Sequence, residues 1–150
     1  MPYYADALKR MKELEQQKKS RMDKLVTRGA DVKREVQKER NNRGALLASP
    51  FIGSPLFSIA MHTSEIMPGE KGKAHRHFNE AIIHIISGEG YSIIDDHRID
   101  WKAGDTIVVP VFSWHQHFNK SSKDAVRYIA CTNGPLMESL GLRQIEDKED

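Results

Sequence analysis

Two pairs of histidines in this 150-residue sequence could bind a metal ion. The first pair is His75 and His77, the second is His115 and His117, and one residue separates the members of each pair. In an extended strand, residues i and i+2 point to the same side, so each pair places two imidazoles on one face. Neutral imidazole is a ligand for iron, zinc, copper and nickel. If both strands face one interior, three or four imidazoles converge there, which predicts a site for one divalent metal ion.

The residues around the histidine pairs form two spaced motifs. The first has the form G-x5-H-x-H, begins at Gly69 and is followed by Gly88. The second has the form G-x5-P-x4-H-x3-N and runs from Gly104 to Asn119. With their flanks, over residues 56–132, they resemble the two motifs of the cupin family. The resemblance implies an all-β fold, a double-stranded β-helix or cupin jelly-roll barrel, with the metal inside one end.

The resemblance also implies the metal ligands, which are His75, His77 and His115. Cupins usually have a glutamate ligand seven residues before Gly88, and that position is Ala81 in this sequence. Glu80 lies one residue earlier, where strand alternation points it away from the metal, although a β-bulge could turn it inward. We therefore expect a site of three histidines.

A three-histidine site resembles that of the ring-cleaving dioxygenases of the gentisate type, whose second motif is similar to residues 110–119. The resemblance implies Fe(II), O2 and an anionic chelating substrate such as a hydroxylated aromatic acid. Zinc, manganese and nickel are alternatives to iron. Two other functions stay open: a non-redox lyase, isomerase or hydrolase, and a cupin that binds a metal or ligand without catalysis. Phe112 stands where the motif usually has glycine, so we expect that turn to take another shape.

Further residues are expected to serve this site. His117 shares a face with His115 and is expected to act in catalysis, orienting substrate or passing a proton; a fourth metal ligand is the alternative. An anionic substrate favours an arginine, and Arg127 on a late strand is the candidate. Asn119 is the second candidate for substrate binding, and bracing a turn is its alternative role. His84 is expected to be packed or to lie at an interface.

The composition changes twice along the chain, which predicts three parts: a charged helical extension (1–42), the β-barrel (43–140) and a polar tail (141–150). Leu8, Met11 and Leu14 recur every three residues, as in a helix that packs on the barrel or forms a dimer contact. Gly29 is expected to interrupt the helix, and a second helical piece is expected over residues 31–38. The polar tail is expected to be frayed.

Five β-rich runs separated by turn residues predict an antiparallel sandwich or barrel. These runs are 56–61, 81–86, 91–94, 106–109 and 126–131.

Charge and cysteine content limit the partners and the compartment. Residues 1–45 carry thirteen Lys/Arg against seven Asp/Glu, a net +6, and the rest of the chain carries ten against fourteen, a net −4. The basic charges are mixed with acids, so we expect a solvated helix or a clasp on the acidic body and no nucleic-acid partner. Cys131 is the single cysteine, which excludes an internal disulfide and fits the cytoplasm. No apolar run is long enough to predict a membrane partner, and the cupin resemblance implies a homodimer.

Overall fold

Eleven strands and two α-helices make up most of residues 2–148, the part of the chain that the computed structural model describes. Their bounds are Pro2–Lys19 (α1), Glu35–Gln37 (β1), Asn42–Ala48 (β2), Ala60–Ile66 (β3), His75–His77 (β4), Ala81–Ser87 (β5), Glu89–Ile94 (β6), His97–Lys102 (β7), Thr106–Val109 (β8), His115–Asn119 (β9), Val126–Thr132 (β10), Gly134–Ser139 (α2) and Ile145–Asp147 (β11). No helix within this range is both long and apolar enough to span a membrane.

The strands form two antiparallel sheets. One has the order β1-β2-β3-β10-β5-β8, and the other has the order β11-β4-β9-β6-β7. Burial alternates along β5 and β8: Ile83 and Val109 lie in the core, whereas Ile82 and Val108 on the opposite face are more than half exposed. This period of two is what a strand with one face on the core requires. The all-β barrel with an N-terminal helix is therefore confirmed.

The N-terminal extension differs from its prediction in three ways. The helix ends at Lys19, ten residues before the interruption expected at Gly29. The helix α1 is present, but its apolar stripe does not pack on the barrel, since Met11 is 65% exposed. The helical piece expected over residues 31–38 is wrong. Residues 35–37 form β1, which pairs with β2 through Val36 opposite Arg43, because a sheet edge offers hydrogen bonds that outweigh a weak helical propensity. The limits at residues 42 and 140 stay predictions.

Four of the five predicted β-rich runs agree with strands of the structure. The runs at 81–86, 91–94, 106–109 and 126–131 coincide with β5, β6, β8 and β10 to within two residues at each end. The run predicted at 56–61 is displaced, because the strand that forms in this region is β3, which spans Ala60–Ile66. The sequence gives no periodic signal for β7, since only Trp101 of its six residues is buried.

The polar tail is not frayed over residues 144–148. Within it, β11 pairs with β4, with Ile145 opposite His77 and Asp147 opposite His75. The Lys148 N–H also donates to the carbonyl of Ala74 at 2.9 Å. A strand that carries two of the candidate metal ligands is therefore held by a segment about 70 residues further along the chain.

The turn at Phe112 has the backbone conformation that favours glycine, although Phe112 carries a side chain. Phe112 has φ 56°, a left-handed conformation that costs a residue with a Cβ about 1–2 kcal/mol. Its N–H donates to the His77 carbonyl at 2.9 Å, and the Arg76 guanidinium lies 4.0 Å from its ring centroid. These contacts offset the backbone strain, and the expectation of another turn shape is wrong.

Candidate metal centre

Three histidines from two neighbouring strands converge in the barrel. His75 and His77 lie on β4, His115 begins β9, and His75 is directly opposite His115 in the sheet. One ring nitrogen from each of the three lies within 4.8 Å of the others. Nitrogens that share a metal at about 2.1 Å lie about 3.0–3.4 Å apart in octahedral or tetrahedral geometry, so the three rings could share one ion after moving inward.

Backbone carbonyls orient each of the three rings. Nδ1 of His75 donates to the carbonyl of Lys73 at 2.9 Å, and the other two rings use the same kind of contact. His77 donates to Asn79 at 2.7 Å, and His115 donates to Ser113 at 2.9 Å. A carbonyl only accepts, so Nδ1 carries the proton and Nε2 keeps its lone pair. A metal ion requires that tautomer, and this second layer of contacts fixes it before any ion binds.

The surroundings keep all three rings neutral. Burial lowers the pKa of His75 to about 4, and the charge of Arg40 adds to the effect. Burial and the neighbouring His75 lower the pKa of His115 to about 2, and burial also lowers the pKa of His77. Neutral imidazole is the form that binds metal, so the donor set fits a divalent ion at neutral pH.

These pKa shifts predict that the metal-free protein loses stability in acid. In the folded state His75 and His117 are neutral down to about pH 4, whereas in the unfolded chain they titrate near their ordinary pKa of 6.5. Between pH 6.5 and 4 the unfolded state therefore binds more protons, and stability falls as the pH falls. The test is the unfolding midpoint at a series of pH values in excess chelator. A midpoint that stays flat across this window would contradict the assignment.

No carboxylate joins the three histidines. Ala81, at the position of the usual glutamate ligand, faces the cavity. Glu80 is exposed, and its carboxylate lies 3.4 Å from the side-chain amide of Asn133. A β-bulge that turns Glu80 inward does not occur, so among the described residues the cluster consists of histidines alone.

His117 also faces the cavity but differs from the other three in its partner. It lies on β9, is 7% exposed, and its Nδ1 is 2.8 Å from Oγ of Ser92. The Trp101 indole N–H donates to the same Ser92 oxygen at 2.8 Å. This chain of three side chains holds the His117 ring with its ring centre 5.6 Å from that of His115.

The other predicted residues lie outside the cavity. Arg127 points to the exposed face of β10, and its Nε donates to Glu65 at 2.8 Å, so its predicted role in substrate binding does not agree with its position. The Asn119 amide is buried and donates to the carbonyls of Ile66, Met67 and Asp124. It braces a turn, which was the alternative to substrate binding. His84 bonds to Thr106 on the outer face of the sheet and takes no part in the site.

The histidines line a cavity of about 450 Å³, within the usual range for small-molecule sites. Sequence reasoning missed nine of its polar side chains, among them Arg40, His62, Tyr128 and Arg143. His62 could have been found from alternation, because Ala60, His62 and Ser64 line the cavity from one face of β3. The displaced strand prediction ended before His62 and lost this signal.

Comparisons with known proteins agree with the fold. Residues 62–131 match the cupin domain family. The 5-aminosalicylate 1,2-dioxygenase of Comamonas sp is 32% identical over 90 residues, which are 60% of this chain and 24% of that protein. The gentisate 1,2 dioxygenase 1 of Aquipseudomonas alcaligenes is 34% identical over 93 residues, which are 59% of this chain and 27% of that protein. The chain thus spans about a quarter of the length of these curated relatives.

Two solved structures show the same fold. A salicylate 1,2-dioxygenase from Pseudoaminobacter salicylatoxidans, solved with gentisate, superposes with a TM-score of 0.67 at 12% identity and covers 77% of this chain and 31% of that one. The polyketide cyclase RemF from Streptomyces resistomycificus superposes with a TM-score of 0.61 at 18% identity and covers 71% of this chain and 76% of that one. The barrel thus matches the cupin domain family over residues 62–131, and it is similar in sequence to parts of proteins named as aminosalicylate and gentisate dioxygenases.

Proposed function

We propose that this protein is an Fe(II)-dependent dioxygenase that cleaves the ring of a hydroxylated aromatic acid or a similar chelating compound. One observation carries the proposal: three neutral imidazoles converge in a cavity whose described lining includes no aspartate or glutamate. The sequence similarity to aminosalicylate and gentisate dioxygenases supports it. Bound iron would supply the chemistry that the side chains lack, by joining a chelating aromatic substrate and O2 at one centre.

The ligand set favours an anionic substrate. A glutamate ligand would cancel one unit of a divalent ion's charge, whereas His75, His77 and His115 cancel none because their pKa values are lowered. Three protein ligands on one side of the cavity also leave the other side open to a bidentate substrate. A phenolate and its neighbouring carboxylate meet both requirements.

His117 is proposed to hydrogen-bond the substrate rather than bind the metal. The Trp101 indole N–H can only donate, so the Ser92 oxygen accepts that hydrogen bond. Within residues 2–148, Nδ1 of His117 is the one acceptor that the Ser92 hydroxyl contacts. The Ser92 proton therefore points to Nδ1, which leaves the proton of His117 on Nε2. An Nε2–H group can donate to a substrate oxygen, and it has no lone pair for a metal.

Oxygen uptake by anaerobically purified protein tests the proposal. The probes are gentisate, salicylate and 1-hydroxy-2-naphthoate, with catechol as a control that lacks the carboxylate. We expect about one iron per chain, O2 consumption equal to acid consumption, and both atoms of labelled O2 in a ring-opened product. The His115→Gln variant should consume no O2. Protein that carries iron and leaves every acid and the O2 level unchanged would refute the proposal.

A non-redox metal enzyme is the second candidate. The observation that favours it is that the fold also matches that of the polyketide cyclase RemF, with a TM-score of 0.61. A zinc ion on three histidines activates bound water near neutral pH. Zinc in the purified protein, with no O2 uptake, would favour this candidate over the dioxygenase.

A cytoplasmic homodimer is also proposed. Ile82, Ile86 and Val108 form an apolar strip on the outer face of β5 and β8, and each is more than half exposed. Burial of this strip and of the exposed stripe of α1 against a second copy would remove apolar surface from water. The single cysteine in the sequence supports a cytoplasmic location, because disulfides are rare in that compartment.

A further inference from the structure

We propose that Arg40 and Arg143 form an anion site that binds the carboxylate of the substrate beside the metal centre. Neither residue lies in the segment that matches the cupin family, residues 62–131. The inference deepens the proposed function and rests on it, because it names the side chains that select an acid. Among the described residues that line the cavity, these two carry the formal charges, and no aspartate or glutamate lines it.

Arg40 reaches the cavity because its segment clasps the loop before β4. The Lys73 N–H donates to the Arg40 carbonyl at 3.1 Å, and the Asn41 amide donates to the Lys71 carbonyl at 2.8 Å. These contacts hold Arg40 in the wall of the cavity that His75 also lines. A cation at this position faces the same space that the metal ligands face.

Arg143 enters from the other end of β4. The Phe78 N–H donates to the Gln144 carbonyl at 3.1 Å, which places residue 143 next to the end of β4. Arg143 lines the same cavity as His77. Arg40 and Arg143 therefore approach the histidine cluster from two separate segments.

The ion pair of Arg40 leaves positive charge for a ligand, and that of Arg143 leaves N–H donors free. Arg40 lies 2.8 Å from Asp147, but Lys73 shares that carboxylate at 3.4 Å, so two cations are balanced by one anion. Arg143 pairs with Glu138 at 2.5 Å, on the rim. A guanidinium has five N–H donors and can bind a second carboxylate while one pair persists.

A neutral amide group near Arg40 adds to the site. Oδ1 of Asn42 is buried and has no hydrogen-bond partner within residues 2–148, and the Asn42 side chain lines the same cavity. Such an atom costs free energy unless a ligand or water pairs with it. A second hydroxyl group or an amine on the substrate ring would satisfy it.

Binding calorimetry on zinc-loaded protein tests the anion site without turnover. The probes are salicylate and its uncharged analogue salicylamide. We expect the wild type to prefer the acid, and Arg40→Gln or Arg143→Gln to weaken acid binding by about tenfold or more while amide binding and zinc content stay the same. Arg40→Lys should restore part of the loss. Arg127→Gln is the matched control, because Arg127 also pairs with a carboxylate but lies outside the cavity.

Asp147→Asn supplies a test of opposite sign. Removing the carboxylate that competes for Arg40 is expected to tighten salicylate binding by about two- to fivefold, a gain that misfolding cannot produce. Equal binding of salicylate and salicylamide by the wild type, or a salicylate affinity that both glutamine variants leave unchanged, would overturn the inference. An acid preference in protein that consumes no O2 with any acid would refute the dioxygenase and leave the anion site standing.

Discussion

Changing His115 to glutamine is expected to remove the metal ion from the protein. The His115 ring lies between the other two, with ring centres 4.2 Å from His75 and 4.7 Å from His77, so its loss leaves a two-ligand site. Since loss of one outer-layer partner already costs about 10–100-fold in metal affinity, loss of a direct ligand should exceed about 100-fold. The measurement is metal content per chain after dialysis against a graded chelator.

Two control variants separate the three-histidine site from its alternatives. His84→Ala removes a histidine on the outer face, and Glu80→Ala removes the nearest acid to the usual glutamate position. Both should keep the wild-type metal content. Loss of metal from Glu80→Ala, or a metal-loaded His115→Gln protein, would show that the ligand set has been assigned incorrectly.

Replacing Gly90 by alanine is expected to destabilise the barrel strongly. A Cβ at Gly90 would fall 2.8 Å from Cζ2 of Trp101 and closer still to the carbonyl oxygen of Phe118. Neither neighbour can move freely, because Trp101 is buried and Phe118 belongs to the adjacent strand β9. We expect a loss at or above the upper end of the range of about 1–3 kcal/mol that overpacking costs, measured by urea unfolding.

Gly29→Ala is the matched control for Gly90→Ala. A Cβ at Gly29 meets nothing within 4 Å, so that variant should unfold at nearly the wild-type urea concentration. The Gly90 variant should also disturb the site, since Trp101 donates to Ser92, which holds His117. If the Gly90→Ala variant is as stable as the wild type, β6 and β9 do not approach each other as closely as the structure indicates.

The histidine site was predictable from sequence because its signal is local. Two residues at i and i+2 on a strand share a face whatever the rest of the chain does, so His75 and His77 needed no knowledge of the fold to be paired. The convergence of the pairs came from the resemblance of the flanking motifs. The absence of a glutamate ligand could also be predicted, because neighbouring residues of a strand, such as Glu80 and Ala81, point to opposite faces.

The remaining features depend on contacts between distant segments. Arg40 and Arg143 are 103 positions apart by their numbering, and only the pairing of β11 with β4 brings the second of them to the cavity. Arg127 was predicted to bind substrate because the sequence indicated its strand but not which face of the sheet its side chain lies on. The strand β1 was mistaken for helix because its residues, Glu35–Gln37, are exposed and show no period of two.

The pairing of β4 with β11 has a consequence for folding kinetics. The strand that carries His75 and His77 shares one paired position with β9 and three with β11, and the β11 contacts close a loop of about 70 residues. Loop closure costs entropy before it is repaid, and three pairs repay less of it than the seven pairs that join β3 and β10 over a similar separation. During refolding, the barrel core should therefore assemble around a disordered β4, and the protein should become able to capture a metal ion only in its slowest phase.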